Sequence, residues 1–293
     1  MGELAQLVVN ALAVGGIYAL IAMSFELAYE STGVVNFATG QLAVMGAMIG
    51  ASALALLRLH GGLPVGYLAT AAAMAVVGLA FFAAVFRPLR GAPPVTIVIG
   101  TIAIGMVIQN VAQLVWGPLP VAMRSPVGSG TIHLAGVALP LHAVFVIAVT
   151  VALVGVVHAL LHATPLGVQM RALAQDAETA LLMGIRPLRL YGMIWVLVAL
   201  LAGIAGVLLA PMWFIDVTMG DTLALKAFAA AIIGGFGSIP GAVCGGVLVG
   251  LAEILGAAYV SSDYKDAFVF ALMIAFLVLR PQGLFGERIG ARG

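Results

Sequence analysis

Charge is what this chain has least of. Its 293 residues include 12 Lys and Arg and 11 Asp and Glu, so 8% of the chain is charged, where a soluble domain would carry roughly a quarter. The net charge of +1 argues neither for nucleic acid nor for an acidic partner. Cysteine is represented once, by Cys244 inside an apolar segment. That excludes a disulfide framework and leaves gap filling as the thiol's role. The two lysines, Lys226 and Lys265, do not follow a glycine-rich loop, so GxxxxGK[ST] is missing. If ATP drives this protein, another subunit must bind it. No GxSxG elbow, HExxH helix or paired-acid arrangement points to hydrolysis. His158 and His162 have the i,i+4 spacing of metal ligands but lack a third ligand nearby, so no metal is expected. Alternating ten-residue strands are missing too, which excludes a membrane barrel.

What remains is apolar. Hydrophobic residues make up 63% of the chain, and mean hydropathy is +1.21. Apolar runs long enough to cross a bilayer core recur along the whole length, and helices close their backbone hydrogen bonds internally there. The segments are 5–29, 35–57, 64–86, 95–116, 141–162, 190–210, 222–234, 240–258 and 266–280. The fold class is therefore all-α, a polytopic membrane protein with about eight or nine transmembrane helices, in one domain over 1–293. The amino terminus, MGELAQLVV, lacks the basic region of a signal peptide, so the first segment is expected to stay as a span.

Lys and Arg mark the cytoplasmic side. With strict alternation, Arg87, Arg90, Arg171, Arg186, Arg189, Arg280, Arg288 and Arg292 share one side, and Arg58, Arg124 and Lys265 take the other. This puts the carboxyl tail inside and the amino terminus outside. Residues 30–40 form either a loop or a break within the membrane. Trp116, Trp195 and Trp213 fall near span ends, as an interfacial aromatic belt requires.

The seventh segment is too short. Asp221–Thr222 reads as a helix N-cap, and the helix reaches only to Gly234–Gly235. Roughly twelve residues rise about 18 Å, against a core of about 30 Å. GGFGSIPG (234–241) then breaks the chain, with Pro240 opening the next helix. The pattern fits a re-entrant segment lining a translocation path, or a tight turn between ordinary helices. Segments 35–50 and 234–250 share a polar, glycine-marked start, the form an inverted repeat would take. GxxxG spacing at Gly46–Gly50, Gly241–Gly245 and Gly246–Gly250 marks close helix packing. Intramembrane charges are functional candidates by default, here Glu26 and Glu30 at the end of the first span, Lys226 in the short helix and Glu253 in the span after it. The plainer reading has Lys226 snorkelling outward to Asp221 and Glu253 lying at the interface near Tyr259. Asn36, Thr39 and Gln41 either bond a passing solute or satisfy backbone freed by the break.

A polar island, TPLGVQMRALAQDAETALLMGIRPLR (164–189), interrupts the apolar pattern. Thr164 and Pro165 open one short helix as N-cap and first helical residue. Asp176 caps a second, Ala177–Met183, which Gly184 ends at C′; Pro187 blocks simple continuation into the next span. Exposed Ala180, Leu181, Leu182 and Met183 would form an apolar knob ringed by charge, suited to a partner's groove. The alternative is a helix lying on the membrane surface.

These stretches carry a resemblance. GGIYALIAMSFELAYESTGVVNFATGQLAVMGA (15–47), TPLGVQMRALAQDAETALLMGI (164–185), LKAFAAAIIGGFGSIPGAVCGGVLVGLAE (225–253) and LRPQGLFG (279–286) resemble the signatures of the LivH-type membrane permeases of branched-chain (hydrophobic) amino-acid ABC importers. The resemblance spans nearly the whole chain. It implies an ABC importer permease fold with a second, LivM-type permease, two ATPases (LivG- and LivF-type) and a periplasmic binding protein as partners. ATP and Mg would be bound by those ATPases, with no cofactor in this chain.

It also implies site residues. Asp176, Ala177, Glu178, Thr179, Ala180, Leu181, Leu182, Met183 and Gly184 would couple to an ATPase. Residues 226–241, with Lys226, Phe228, Gly234, Gly235, Phe236 and Gly237, would lie near the translocation path, and Asn36, Phe37, Thr39 and Gln41 at the break after the first span join them as path candidates. At Thr39 and Gln41 the chain departs from the family's frequent His and Glu, which leaves amides, urea and small aromatic acids open as solutes beside amino acids. The expected mechanism is alternating access in an inner-membrane subunit that catalyses nothing itself. The alternative is a transporter or channel working alone, with Glu26, Glu253 or Lys226 as ion sites.

Overall fold

The computed structural model describes residues 2–56, 63–134 and 137–286. Arg58, Arg288 and Arg292, used above for orientation, lie outside the described residues. Each of the nine apolar segments contains a helix among the described residues. In chain order the elements are α1 (Gly2–Thr32), α2 (Thr39–Leu56), α3 (Leu63–Phe81), a π-helical turn (Phe82–Phe86), α4 (Arg87–Leu89) and α5 (Pro94–Trp116). A hairpin follows, β1 (Thr131–Leu134) and β2 (Val137–Pro140), then α6 (Leu141–Ala163), α7 (Pro165–Gln175), α8 (Ala177–Leu182), α9 (Pro187–Leu209), α10 (Gly220–Gly234), α11 (Ile239–Tyr259) and α12 (Lys265–Leu279).

Seven helices among the described residues are long and apolar enough to cross a membrane; the third runs Val65–Leu89 through the π turn. The expected eight or nine spans are met only by adding α10 and α12, at 15 residues each. A 15-residue helix rises about 22 Å, short of a core of about 30 Å. The hairpin, with Thr131 opposite Pro140 and Leu134 opposite Val137, is an element the all-α reading lacked.

The helices sort by burial. In α1 every residue from Ala13 to Ala28 is buried, as a helix apolar on all sides must be. α9 is buried along most of its length as well, whereas α3, α5 and α6 turn Val76, Leu79, Ile99, Met106, Val151 and Val156 outward. These faces need an apolar solvent or a partner.

Small residues set the packing. α11 lies against α1 with Gly246 on Ala19 and Gly250 on Gly15, and turns Gly245 to Ala230 of α10. α2 crosses α9 with Gly46 on Gly203 and Gly206 on Ala43. So the three GxxxG pairs serve three different helix contacts. This agrees with association in lipid by close backbone approach.

Contacts identify the two ends of the bundle. At one end the Trp116 indole donates to Ser52 at 2.7 Å, Val121 pairs with Ile215, and Lys265 sits over Trp213. At the other, Glu30, Leu161, Arg171 and Gly237–Pro240 surround one cleft. Trp116 and Trp213 thus sit near helix ends, as a belt requires. Trp195 does not: it is buried nine residues into α9, packed on Phe81 and Phe86 at the π turn.

A methyl group at Gly206 would fall 1.8 Å from the Ala43 carbonyl oxygen, whereas one at Gly155 meets nothing within 4 Å. Gly206→Ala should cost about 1–3 kcal/mol from overpacking, and Gly155→Ala should be neutral or stabilising. Thermal unfolding of the two variants in detergent checks both.

Candidate functional site

Thr164–Arg189 folds as two short helices on one end of the bundle. Pro165 is the first residue of α7, as expected, but the Thr164 hydroxyl does not cap it. It turns back to the Leu160 carbonyl of the preceding helix instead. α7 buries Gly167, Met170 and Leu173, three-residue spacing that defines one face. Arg171 donates to the Leu161 carbonyl at 2.8 Å. Together these contacts fasten α7 to the end of α6.

Asp176 caps α8 by accepting from the Glu178 and Thr179 N–H groups at 3.0 and 3.2 Å. The Thr179 hydroxyl first, and these N–H groups after it, hold the Asp176 carboxyl below its usual range. At the other end Gly184 has φ +83. Its N–H donates to Leu181 and the Ile185 N–H to Ala180, the Schellman arrangement that only a residue tolerant of positive φ closes cheaply. Glu178, Thr179, Leu181, Leu182 and Met183 are exposed, the last three by 56%, 88% and 80%. Ala180 is not: it is 3% exposed, so the knob is Leu181, Leu182 and Met183. Ala180 instead faces the buried core of the molecule. The Ala177 side chain lies outside the described residues.

The translocation-path candidates divide along α10: Phe37, Phe228, Phe236 and the glycines gather toward its end, whereas Gln41 lies at its start and Lys226 between. Phe37, Phe228 and Phe236 form a chain of rings with Phe25 and Tyr29, at centroid distances of 5.0 to 6.3 Å. The 33–38 connection enters from beside α5, where the Phe37 N–H bonds Thr101 two turns inside that helix. Here the polar residues are largely committed to backbone. The Asn36 Oδ1 accepts the Ala38 N–H, and Thr39 donates to the Asn36 carbonyl. The Asn36 Nδ2 has no partner among the described residues. Gln41 donates to Asp221 at 3.0 Å. Asp221 is therefore not an N-cap; α10 starts at Gly220 without a side-chain cap, and the carboxylate is used across the helix pair.

Gly234–Gly237 is the break after α10, with φ +98 at Gly235 and +85 at Gly237. Its free groups are taken up by distant segments. The Gly237 N–H donates to Glu26 of α1 at 2.7 Å. The carbonyls of Ile233 and Gly234 accept from the Leu284 and Phe285 N–H groups, and Gly283 presses on Gly235. The carboxyl-terminal LRPQGLFG motif is thus the C-cap of the short helix. Ser238 caps α11 by accepting from Gly241.

Lys226 does not snorkel to Asp221. It is 3% exposed, with its Nζ 2.7 Å from Glu253 and 2.6 Å from Asp266. Tyr18 donates its hydroxyl to the other oxygen of Glu253 at 2.6 Å. Glu253 is consequently interior at 1% exposed, not interfacial. One cation thereby ties α10 to α11 and α12, with α1 held through Tyr18. A buried pair of this kind is favourable when its remaining lone pairs are satisfied, as the Tyr18 hydroxyl does here.

Reading the sequence missed Tyr18, Phe25, Tyr29, Asp266 and the role of Gln41. A buried tyrosine hydroxyl needs a partner, so Tyr18 in an apolar run was the available signal; Asp266 carried none. Replacing Lys226 by Met should destabilise the protein by about 3–5 kcal/mol, because it leaves Glu253 charged and unpaired. Lys226→Met combined with Glu253→Gln should recover much of that loss. A double-mutant cycle on detergent-solubilised protein measures it.

Comparison with known proteins places this geometry. Residues 7–277 match the family described as branched-chain amino acid transport system / permease component. The chain is similar to the high-affinity branched-chain amino acid transport system permease protein BraD of Pseudomonas aeruginosa, at 34% identity over 96% of this chain and 95% of that one. It is 33% identical to LivH of Escherichia coli over 95% and 94%. It is 32% identical to the probable LivH of Methanocaldococcus jannaschii over 91% and 88%. No solved structure matches the chain. The chain belongs to the family of permease components of branched-chain amino-acid ABC transport systems, whose members work with partner ATPases and a binding protein.

Proposed function

We propose that this chain is the LivH-type half of a permease core that carries branched-chain or other hydrophobic amino acids across the inner membrane. It pairs with a LivM-type permease and docks LivG- and LivF-type ATPases. A periplasmic binding protein delivers the solute. The amino terminus lies outside, the Thr164–Arg189 island and the carboxyl tail inside, and ATP is hydrolysed entirely on the partners. The observation that carries this reading is the tip of α8. Leu181, Leu182 and Met183 stand exposed on a helix capped at both ends, on a platform fastened to the spans.

The mechanism follows from how that platform is attached. An ATPase groove holding the tip of α8 moves α7, and α7 is locked to α6 by Gly167 on the Leu161 carbonyl and by Arg171. α7 also borders the cleft shared by Glu30 of α1 and Gly237–Pro240 of the break. A push on the tip therefore reaches the cleft without crossing a flexible joint. Deeper in, rings and small residues line the route, and an aliphatic side chain slides past them with little polar competition. Lys226 and Glu253 neutralise one another, which takes from the stand-alone transporter two of the ion sites it would use.

Leu182→Asp with Met183→Asp should abolish co-purification of the ATPases and leucine uptake while membrane insertion is unchanged, since both side chains are exposed. Uptake at the wild-type rate in that variant would overturn the coupling assignment.

A further inference from the structure

Glu26 is a fully buried acid with no cation beside it among the described residues. Glu253 and Asp266 share Lys226, and Asp221 receives Gln41. Glu26 is fully buried, at 0% exposed. Its Oε2 accepts the Gly237 N–H, and its Oε1 has no partner among the described residues. A buried acceptor without a donor is costly, and an ionised one more so.

Three further features surround it. Phe25 is its chain neighbour, and Tyr29, one turn on, packs at a tilt against Phe236 with ring centroids 5.0 Å apart, next to the glycine that bonds Glu26. Gly237 itself is exposed and lines a cleft of about 380 Å³ with Glu30, which stands one turn beyond Glu26 on α1. Nothing lies within 4 Å of where a Gly237 side chain would begin. Gly237 is therefore a thin, hinge-competent wall between the cleft and the buried carboxylate.

We propose that Glu26 is the subsite that receives the α-ammonium group of the transported amino acid on its way to the cytoplasmic cleft, with Tyr29 and Phe236 as walls and Glu30 as the next acceptor outward. This rests on the reading that the solute is an amino acid. The chemistry is that of ammonium recognition: a carboxylate oxygen in a dry site, strengthened by ring faces that attract cations. When Gly237 swings away, its N–H leaves Glu26 and both oxygens become free for the incoming cation. The neighbouring rings meanwhile accept the aliphatic side chain. In the closed state the same carboxylate holds Gly237 in place, so the gate and the receptor are one group.

The test uses the complete transporter in proteoliposomes, with its partner permease, ATPases and binding protein, and radiolabelled leucine as probe. Glu26→Gln keeps an acceptor for the Gly237 N–H but removes the charge; Glu26→Ala removes both. The expected result is that both variants assemble and hydrolyse ATP while leucine uptake falls about tenfold to a hundredfold in each, the scale of a lost charge-assisted hydrogen bond. Glu30→Gln should give a smaller loss. Wild-type uptake in Glu26→Gln beside a loss in Glu26→Ala would show that Glu26 only holds Gly237, and would overturn the proposal. Failure of the Glu26→Gln complex to assemble would make it a contact for a partner's cation, and would overturn it equally. If the wild-type transporter itself moves no leucine or other amino acid, the functional reading fails first, independently of the variants.

Discussion

The break after α10 is the constraint around which the rest of this molecule is arranged. A helix that stops short leaves its last carbonyls, and the N–H groups of the chain after it, in need of partners. Here they are met by parts of the chain far apart in sequence: Glu26 from α1, and Leu284 and Phe285 from beyond α12. The carboxyl-terminal segment must return to this point for the ends of α10 to be satisfied. This requirement explains why two distant glycine-rich motifs occur in one chain.

The other end of α10 is held differently. Lys226 bridges Glu253 and Asp266, and Tyr18 completes Glu253. Such a contact is stiff and specific, because any shift that separates the pair exposes a buried charge. The inner end rests on hydrogen bonds to glycine backbone at positive φ, which can be exchanged one at a time. α10 is thus clamped at its charged end and released at its glycine end. That asymmetry is what a segment at a gate requires.

Much of this was legible. Long apolar runs gave every long helix within a few residues, since in such runs only helices close their backbone hydrogen bonds internally. Asp176 and Gly184 gave the bounds of α8, because caps are local chemistry. Gly234–Gly235 gave the end of α10 for the same reason. What failed were inferences about partners. Asp221 resembles an N-cap in sequence but serves Gln41, Thr164 bonds backward, and Lys226 turns inward to residues 27 and 40 positions away. Ala180 and Trp195 were misplaced because burial depends on which neighbour covers a residue, and period alone does not name the neighbour. The aromatic cluster was half visible: Phe37, Phe228 and Phe236 sit in glycine-marked segments, whereas Phe25 and Tyr29 hide in an ordinary apolar helix.

The division between rigid and movable parts follows from the small residues. α1 with α11, and α2 with α9, touch backbone to backbone at Gly15, Gly246, Gly250, Gly46, Gly203 and Gly206. Surfaces in such contact cannot rotate without collision, so each pair moves as a body. Freedom is left where chain meets chain through single hydrogen bonds, at Phe37 on Thr101 and at Gly237 on Glu26. Both joints lie at the aromatic cluster, one on each side of it. On the proposed coupling, a displacement delivered by α7 to the ends of α6 and α1 is taken up there, and the rings at that point part or close before the helix pairs deform.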